Sequence, residues 1–285
     1  MTEIAVVRGG PLTTVQDLGR PGWAHIGVPP SGALDREALV FGNRIVGNDP
    51  SAAGLECTLA GPSLRFGTPA LVALTGAESN ATVSGRPAEA NALVRVAAGE
   101  VLELRGCVRG VRAYICIRGG IDAEPVLGSR STDLMSGLGP PPLRDGDTLR
   151  IGTEPRASPD AQAAPPAARP EVPVLRVVGG PRDDWFAPGA LDALCASTWR
   201  VDPASNRIGL RLSGPTLERL DRGELLSEGL VTGAIQVPPS GQPIVLLNDH
   251  PTTGGYPVLA AVHTADVTLA AQLGPRSRVR FAVSE

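Results

Sequence analysis

Short runs in which apolar and polar residues alternate dominate the chain. IAVV (4–7), LECTLA (55–60), LVALTG (71–76), VLELRG (101–106), VRAYICIRG (111–119), VLRVVG (174–179), PIVLLN (243–248) and VRFAV (279–283) read as strands. In the fifth run Val111, Ala113, Ile115 and Ile117 alternate with Arg112, Tyr114 and Arg118, as a half-buried antiparallel strand requires. Helical spacing is confined to three places. LDREALVFGNRIVG (34–47) sets Leu34, Ala38, Leu39, Phe41 and Ile45 on one face; PGALDALCAS (188–197) and TADVTLAAQL (264–273) are the others. Ser31 or Asp35 is placed to cap the first helix and Thr264 the last. EPRASPDAQAAPPAARPEVP (154–173) has little periodicity and reads as an exposed linker or long excursion. The pattern therefore predicts a mainly β chain with a few accessory helices. One β-rich subdomain covers 1–153, the linker 154–173, and a second β-barrel subdomain 174–285.

Composition sharpens this reading. Glycine (35) and proline (28) together exceed a fifth of the 285 residues, which suits many short strands joined by tight turns. A net charge of -3 leaves no basic footprint for nucleic acid or an anionic membrane. No apolar run approaches the roughly 20 residues of a membrane span, and MTEIAVVRGG has no signal-peptide pattern, so a cytoplasmic protein is expected. Cys57, Cys107, Cys116 and Cys195 are scattered without metal-ligand spacing, and the three histidines form no spaced set. All 26 basic residues are arginine. That excludes a phosphate loop ending in GK[ST], a Schiff-base lysine and a biotinylated lysine on this chain.

Three segments carry polar groups dense enough for chemistry. In TTVQDLGRPGWAHIGVPPSGALD (13–35), Thr13, Thr14, Gln16, Asp17, Arg20, His25 and Ser31 are interleaved with glycines and prolines. In GLVTGAIQVPPSGQPIVLLNDHPTTGGYP (229–257), Gln236, Ser240, Asn248, Asp249, His250, Thr252, Thr253 and Tyr256 crowd around a short apolar strand. There Asp249 could act as a proton acceptor for a small polar substrate, and Asp249→Asn would then spare folding. SNRIGLRLSGP (205–215) adds Asn206 and Arg207, the latter suited to clamp a carboxylate or phosphate or to serve as a plain ion-pair partner. Ser129, Arg130, Ser131 and Thr132 make a hydroxyl–arginine cluster that could hold an anion. In each segment the plainer alternative is a loop whose polar groups only tie turns together. VPPSG itself occurs twice, at 28–32 and 237–241, either as a repeated corner or as two copies of one fold facing a site.

TTVQDLGRPG, HIGVPPSGALD, LECTLAGP, RGGID, LGSRSTDL, SNRIGLRLSGP, GAIQVPPSGQPI and TTGGYP, in this order over nearly the whole chain, resemble the allophanate hydrolase subunit 2 family. That family is also described as biotin-dependent carboxyltransferase-like. The resemblance implies two cyclophilin-like β-barrel subdomains, from which we expect the VPPSG copies to be equivalent corners. It implies the C subunit of an ATP-dependent 5-oxoprolinase, opening pyroglutamate to glutamate together with a subunit 1 (KipI-like) protein and a LamB/YcsF-type subunit. ATP with a divalent cation would act in the assembled enzyme, with no covalent biotin on this chain. The alternatives are a carboxyltransferase subunit acting on urea or a related amide, and a non-catalytic KipA-like regulator. Under the leading expectation Asp249 is the base or water-orienting group, and Gln16 and Gln236 donate to the substrate amide. Arg20 or Arg207 binds carboxylate or phosphate, and Ser31, Asn206, Ser240, Thr252, Thr253 and Tyr256 line the site. GPPPLRDGD (139–147) departs from the Gly–Arg-containing loop of the family.

Overall fold

The computed structural model describes residues 3–160 and 170–284, so the centre of the expected linker lies outside the described residues. The chain divides into two compact units, one of residues 1–20 and 31–167, the other of residues 21–30 and 168–285.

The first unit holds β1 (Glu3–Arg8), β2 (Thr13–Gln16), α1 (Arg36–Val46), β3 (Gly54–Thr58), β4 (Ser63–Phe66), β5 (Ala70–Val83), β6 (Arg86–Pro87), β7 (Leu93–Val96), β8 (Val101–Ile117) and β9 (Thr148–Arg150). They form one nine-stranded sheet along the path β2-β3-β8-β4-β1-β9, with β5 on the other side of β8 and β6 and β7 on β5. VLELRG and VRAYICIRG, read as two strands, are one strand of 17 residues. The glycines between them do not end it, because β5 pairs along it through three register shifts between Gly76 and Ala81. Ile4, Val15, Leu55, Phe66, Leu74, Leu102 and Ile115 meet in the core on one face. On the other face α1 lays Ala38, Leu39, Phe41 and Ile45 against Ala73, Tyr114 and Cys116. Gly42 permits that approach: a Cβ there would stand 2.6 Å from Cys116 Sγ and 3.0 Å from Thr75 Oγ1. The Thr75 hydroxyl donates to the Ala38 carbonyl of the same helix at 2.7 Å. The cap of α1 is Asp35, accepting from the Ala38 N–H at 3.1 Å.

The second unit holds β10 (Val174–Gly179), α2 (Ala190–Ala196), β11 (Trp199–Val201), β12 (Gly209–Ser213), β13 (Glu228–Gly229), β14 (Ala234–Gln236), β15 (Ile244–Leu246), β16 (Thr253–Gly254), β17 (Val258–Val262), α3 (Thr264–Ala271) and β18 (Arg278–Val283). Seven strands close a barrel in the order β10-β17-β14-β15-β12-β11-β18, and β13 pairs with β16 beside it. The barrel closes through a parallel pairing of β10 with β18. Thr264 does not cap α3. It is the first helical residue after His263, and no side-chain cap bond forms. Instead Asp266, in the first turn, takes the Arg176 guanidinium on both oxygens at 2.7 and 2.9 Å.

The two VPPSG segments are not equivalent corners. In the first, Ser31 and Gly32 have φ of 49° and 85° and the chain runs on into α1. In the second, only Gly241 is left-handed, its N–H bonds the Pro238 carbonyl at 2.9 Å, and the turn joins β14 to the antiparallel β15. A different echo marks the two units. IAVVRGGP leads off β1 and VLRVVGGP leads off β10, with the same burial alternation. In each, a Cβ on a following glycine, Gly9 or Gly180, would collide with a carbonyl of the neighbouring chain, Leu143 or Val258.

Candidate active site

In the first unit the motif residues converge on Asp17. Its Oδ1 accepts the hydroxyls of Ser129 and Ser131, both at 2.6 Å, and the Gly19 N–H at 2.8 Å; Oδ2 accepts the Arg130 N–H at 2.6 Å. The hydroxyl cluster at 129–132 therefore does hold an anion, and that anion is the chain's own carboxylate. Arg20, expected to bind a substrate anion, is fully buried and donates to the carbonyls of Val126 and Ser131. The loop 126–132 is thus fastened to QDLGR from both sides.

Gln16 ends the buried strand β2. Its Nε2 donates to the Thr132 carbonyl at 3.0 Å and to Thr14 Oγ1 at 3.1 Å, while its Oε1 is buried with no hydrogen-bond partner among the described residues. Ser31, also buried, belongs to the same region through its neighbours. The Ala33 N–H bonds the Asp17 carbonyl at 2.9 Å, and a Cβ on Gly32 would stand 2.7 Å from Gly19 N.

The segment after Ser31 rests on two residues that the patterning did not single out. Glu56 Oε2 accepts the Leu34 N–H at 3.0 Å and the Tyr114 hydroxyl at 2.6 Å; Tyr114 Oη accepts the Asp35 N–H at 2.8 Å. Arg112 stands 3.7 Å from Glu56. Burial, then the nearby carboxylates of Glu56 and Asp35, push the Tyr114 phenol well above its ordinary pKa, so it stays a donor. The available signal was Glu56 inside LECTLA and Tyr114 inside YICI, polar letters within otherwise apolar strands.

In the second unit Arg207 and Asp249, expected as clamp and base, form one buried ion pair. Arg207 is 1% exposed and Asp249 0%. Nε meets Oδ2 at 2.8 Å and Nη2 meets Oδ1 at 2.9 Å, a parallel two-point contact. Both carboxylate oxygens of Asp249 are thus engaged by the guanidinium. Asn206 closes an Asx turn, its Oδ1 accepting the N–H groups of Ile208 (2.8 Å) and Gly209 (3.3 Å). Burial lowers the pKa of His250, whose Nδ1 lies 2.7 Å from the Pro251 carbonyl. Gln236 and TTGGYP come together. Gln236 Nε2 donates to the Tyr256 carbonyl at 3.0 Å, and a Cβ on Gly254 would stand 2.8 Å from Leu230 Cδ1 and 3.1 Å from that nitrogen. Leu230 N–H bonds the Thr252 carbonyl, while Thr253 and Tyr256 are exposed beside it. Ser240 is exposed in its turn, with its hydroxyl 3.4 Å from the Gln242 N–H. Among the described residues no group of three or more His, Cys, Asp or Glu side chains could hold a metal ion. No described helix is long and apolar enough to cross a membrane.

A family model for the carboxyltransferase domain, subdomains A and B, matches residues 26–283. The chain belongs to that family. Several relatives place this carboxyltransferase domain in context. It is 41% identical over 281 residues to the C subunit of Escherichia coli 5-oxoprolinase, covering 98% of this chain and 90% of that one. It is 34% identical to the urea amidolyase of Lachancea kluyveri, over 97% of this chain and 16% of that one. Among solved structures, K. lactis urea amidolyase superposes with a TM-score of 0.92 at 31% identity, over 99% of this chain and 19% of the other. The carboxyltransferase domain is therefore a self-standing chain in one set of relatives and a fraction of a much longer one in the other.

Proposed function

We propose that this chain is the C subunit of a 5-oxoprolinase, a hydrolase that opens the lactam of 5-oxoproline to glutamate with partner subunits. The observation that carries the reading is the 41% identity to the Escherichia coli protein over 90% of that protein's length. A lactam is a resonance-stabilised amide, and ATP in the assembled enzyme would activate its carbonyl for attack by water. The proposed cofactors, ATP with a divalent cation, act in the assembled enzyme, with no covalent biotin on this lysine-free chain. Its contribution is to bind and orient the amide. Each unit offers its own proposed contacts: Gln16 and Ser31 in the first, and Gln236, Ser240, Thr252, Thr253 and Tyr256 in the second. Arg207 and Asp249 support the second unit as a pair. The proposed partners are a KipI-like subunit 1 and a LamB/YcsF-type subunit, in the cytoplasm.

Reconstitution tests this directly. The chain, mixed with its two partner proteins, 5-oxoproline, ATP and magnesium, should release glutamate, and the chain alone should release none. Failure of the complete mixture, together with carboxyl transfer from carboxybiotin to urea, would transfer the assignment to a urea carboxylase. The urea amidolyase likeness supports that second reading. The absence of lysine requires biotin to arrive on another chain.

A further inference from the structure

We infer that Gln16 recognises the substrate's amide N–H as an acceptor, through Oε1, and is a specificity-determining residue for amide over ester. This rests on the reading that the chain binds an amide substrate, and it reverses the role expected for Gln16 from sequence.

A glutamine amide has two N–H hydrogens and one carbonyl. Here the orientation of that amide is fixed by its surroundings. The Thr132 carbonyl, 3.0 Å away, can only accept, so the nitrogen must face it. The second hydrogen goes to Thr14 Oγ1 at 3.1 Å. Both donors are spent, and exchanging N for O would set two carbonyl oxygens against each other. What remains is Oε1, buried and without a partner among the described residues. Leaving a buried acceptor unmet is unfavourable, a cost a glutamine at the end of β2 need not carry unless something donates to it. The residues around it are held stiffly. β2 pairs with β3 from Thr13↔Cys57 to Gln16↔Gly54, and the Thr132 N–H bonds the Val15 carbonyl at 2.9 Å. A preset, desolvated, neutral acceptor matches a neutral N–H, as in a lactam or a urea. It repels a ring oxygen in the same place. Sites built to bond an N–H reject the analogue that lacks it far more strongly than pockets reject a methylene.

The test is a cycle of substrate against side chain in the fully assembled enzyme. kcat/KM is measured for 5-oxoproline and for the lactone in which the ring N–H is replaced by oxygen, with wild type and Gln16→Met. The lactone's own greater reactivity cancels in the ratio of ratios. Gln16→Met should shrink the preference for the lactam by roughly ten- to a hundredfold. A variant in which both substrates fall together, leaving the ratio unchanged, overturns the assignment, because that is how a purely structural glutamine behaves. Should Gln16→Met fail to fold, a structure of the wild-type complex with 5-oxoproline decides. An amide nitrogen at hydrogen-bond distance from Oε1 supports the inference, and a water there with the ligand elsewhere defeats it. If the wild-type complex ignores 5-oxoproline, the functional reading falls. The same structure with urea as the probe then decides the Gln16 assignment alone.

Discussion

Asp249 shows how burial changes the meaning of a residue. An Asp amid hydroxyls, an amide and Gly-Gly reads as a proton acceptor, but in the fold it is sealed against Arg207. Replacing it with Asn, near-isosteric and expected from sequence to spare folding, leaves the guanidinium buried against a neutral group. Breaking a buried pair from one side typically costs about 3–5 kcal/mol. Chemical denaturation of the isolated chain should show a loss of that order for Asp249→Asn, and Arg207→Met combined with Asp249→Leu should recover much of it. An Asp249→Asn protein with an unchanged midpoint would return Asp249 to the reacting groups. The motifs around 207 and 249 were visible in the sequence; their mutual use was not. Nothing in spacing announces a partner 42 positions away, whereas the Asx turn at Asn206 needs only its next two or three residues.

Elements are legible in the sequence where one face is apolar and the other polar. α1 is such a case, and its predicted face, Leu34, Ala38, Leu39, Phe41 and Ile45, is buried throughout. β8 was divided at its glycines because a turn and a bulge use the same residues; only the partner strand β5 distinguishes them. Its polar positions also misled. Arg112 and Tyr114 alternate as an outward face should, but α1 covers that face and turns Tyr114 into core. Gly42 is where helix and sheet compete. Gly42→Ala gains about 1 kcal/mol of helix propensity. Against that, the new methyl would meet Cys116 Sγ at 2.6 Å, and overpacking typically costs about 1–3 kcal/mol. The expected net result is a lower melting temperature, partly restored by Cys116→Ala. A more stable single variant would mean that the helix can lift from the sheet at little cost.

At the scale of the whole molecule, the mainly β architecture and the three α-helices of the described residues followed from patterning. Residues 21–30 group with the second unit although they sit inside the first by sequence, a long-range assignment that no composition boundary marks. In the second unit the Asp266–Arg176 contact ties α3 to β10. Arg176, chiefly through its side-chain hydrogen bonds, holds the Asp266 carboxyl below its ordinary value. A depressed folded-state pKa contributes stability that is complete above the unfolded value, about 3.9, and vanishes as pH falls through the folded value. Wild type should therefore melt higher than Asp266→Asn at neutral pH, with the two curves converging below about pH 4. A gap that stays constant down to the acid limb would exclude this pair as its source. The parallel seam between β10 and β18 has a consequence for the order of events on the ribosome. The strand that shuts the barrel is the last of its elements to be translated, and residues 21–30 are translated before every other part of that unit. The first unit's sheet has all its strands by Arg150, but the second cannot close until β18 clears the exit tunnel. Until then its barrel strands present open hydrogen-bonding edges to the cell, the interval in which a chaperone has most to protect.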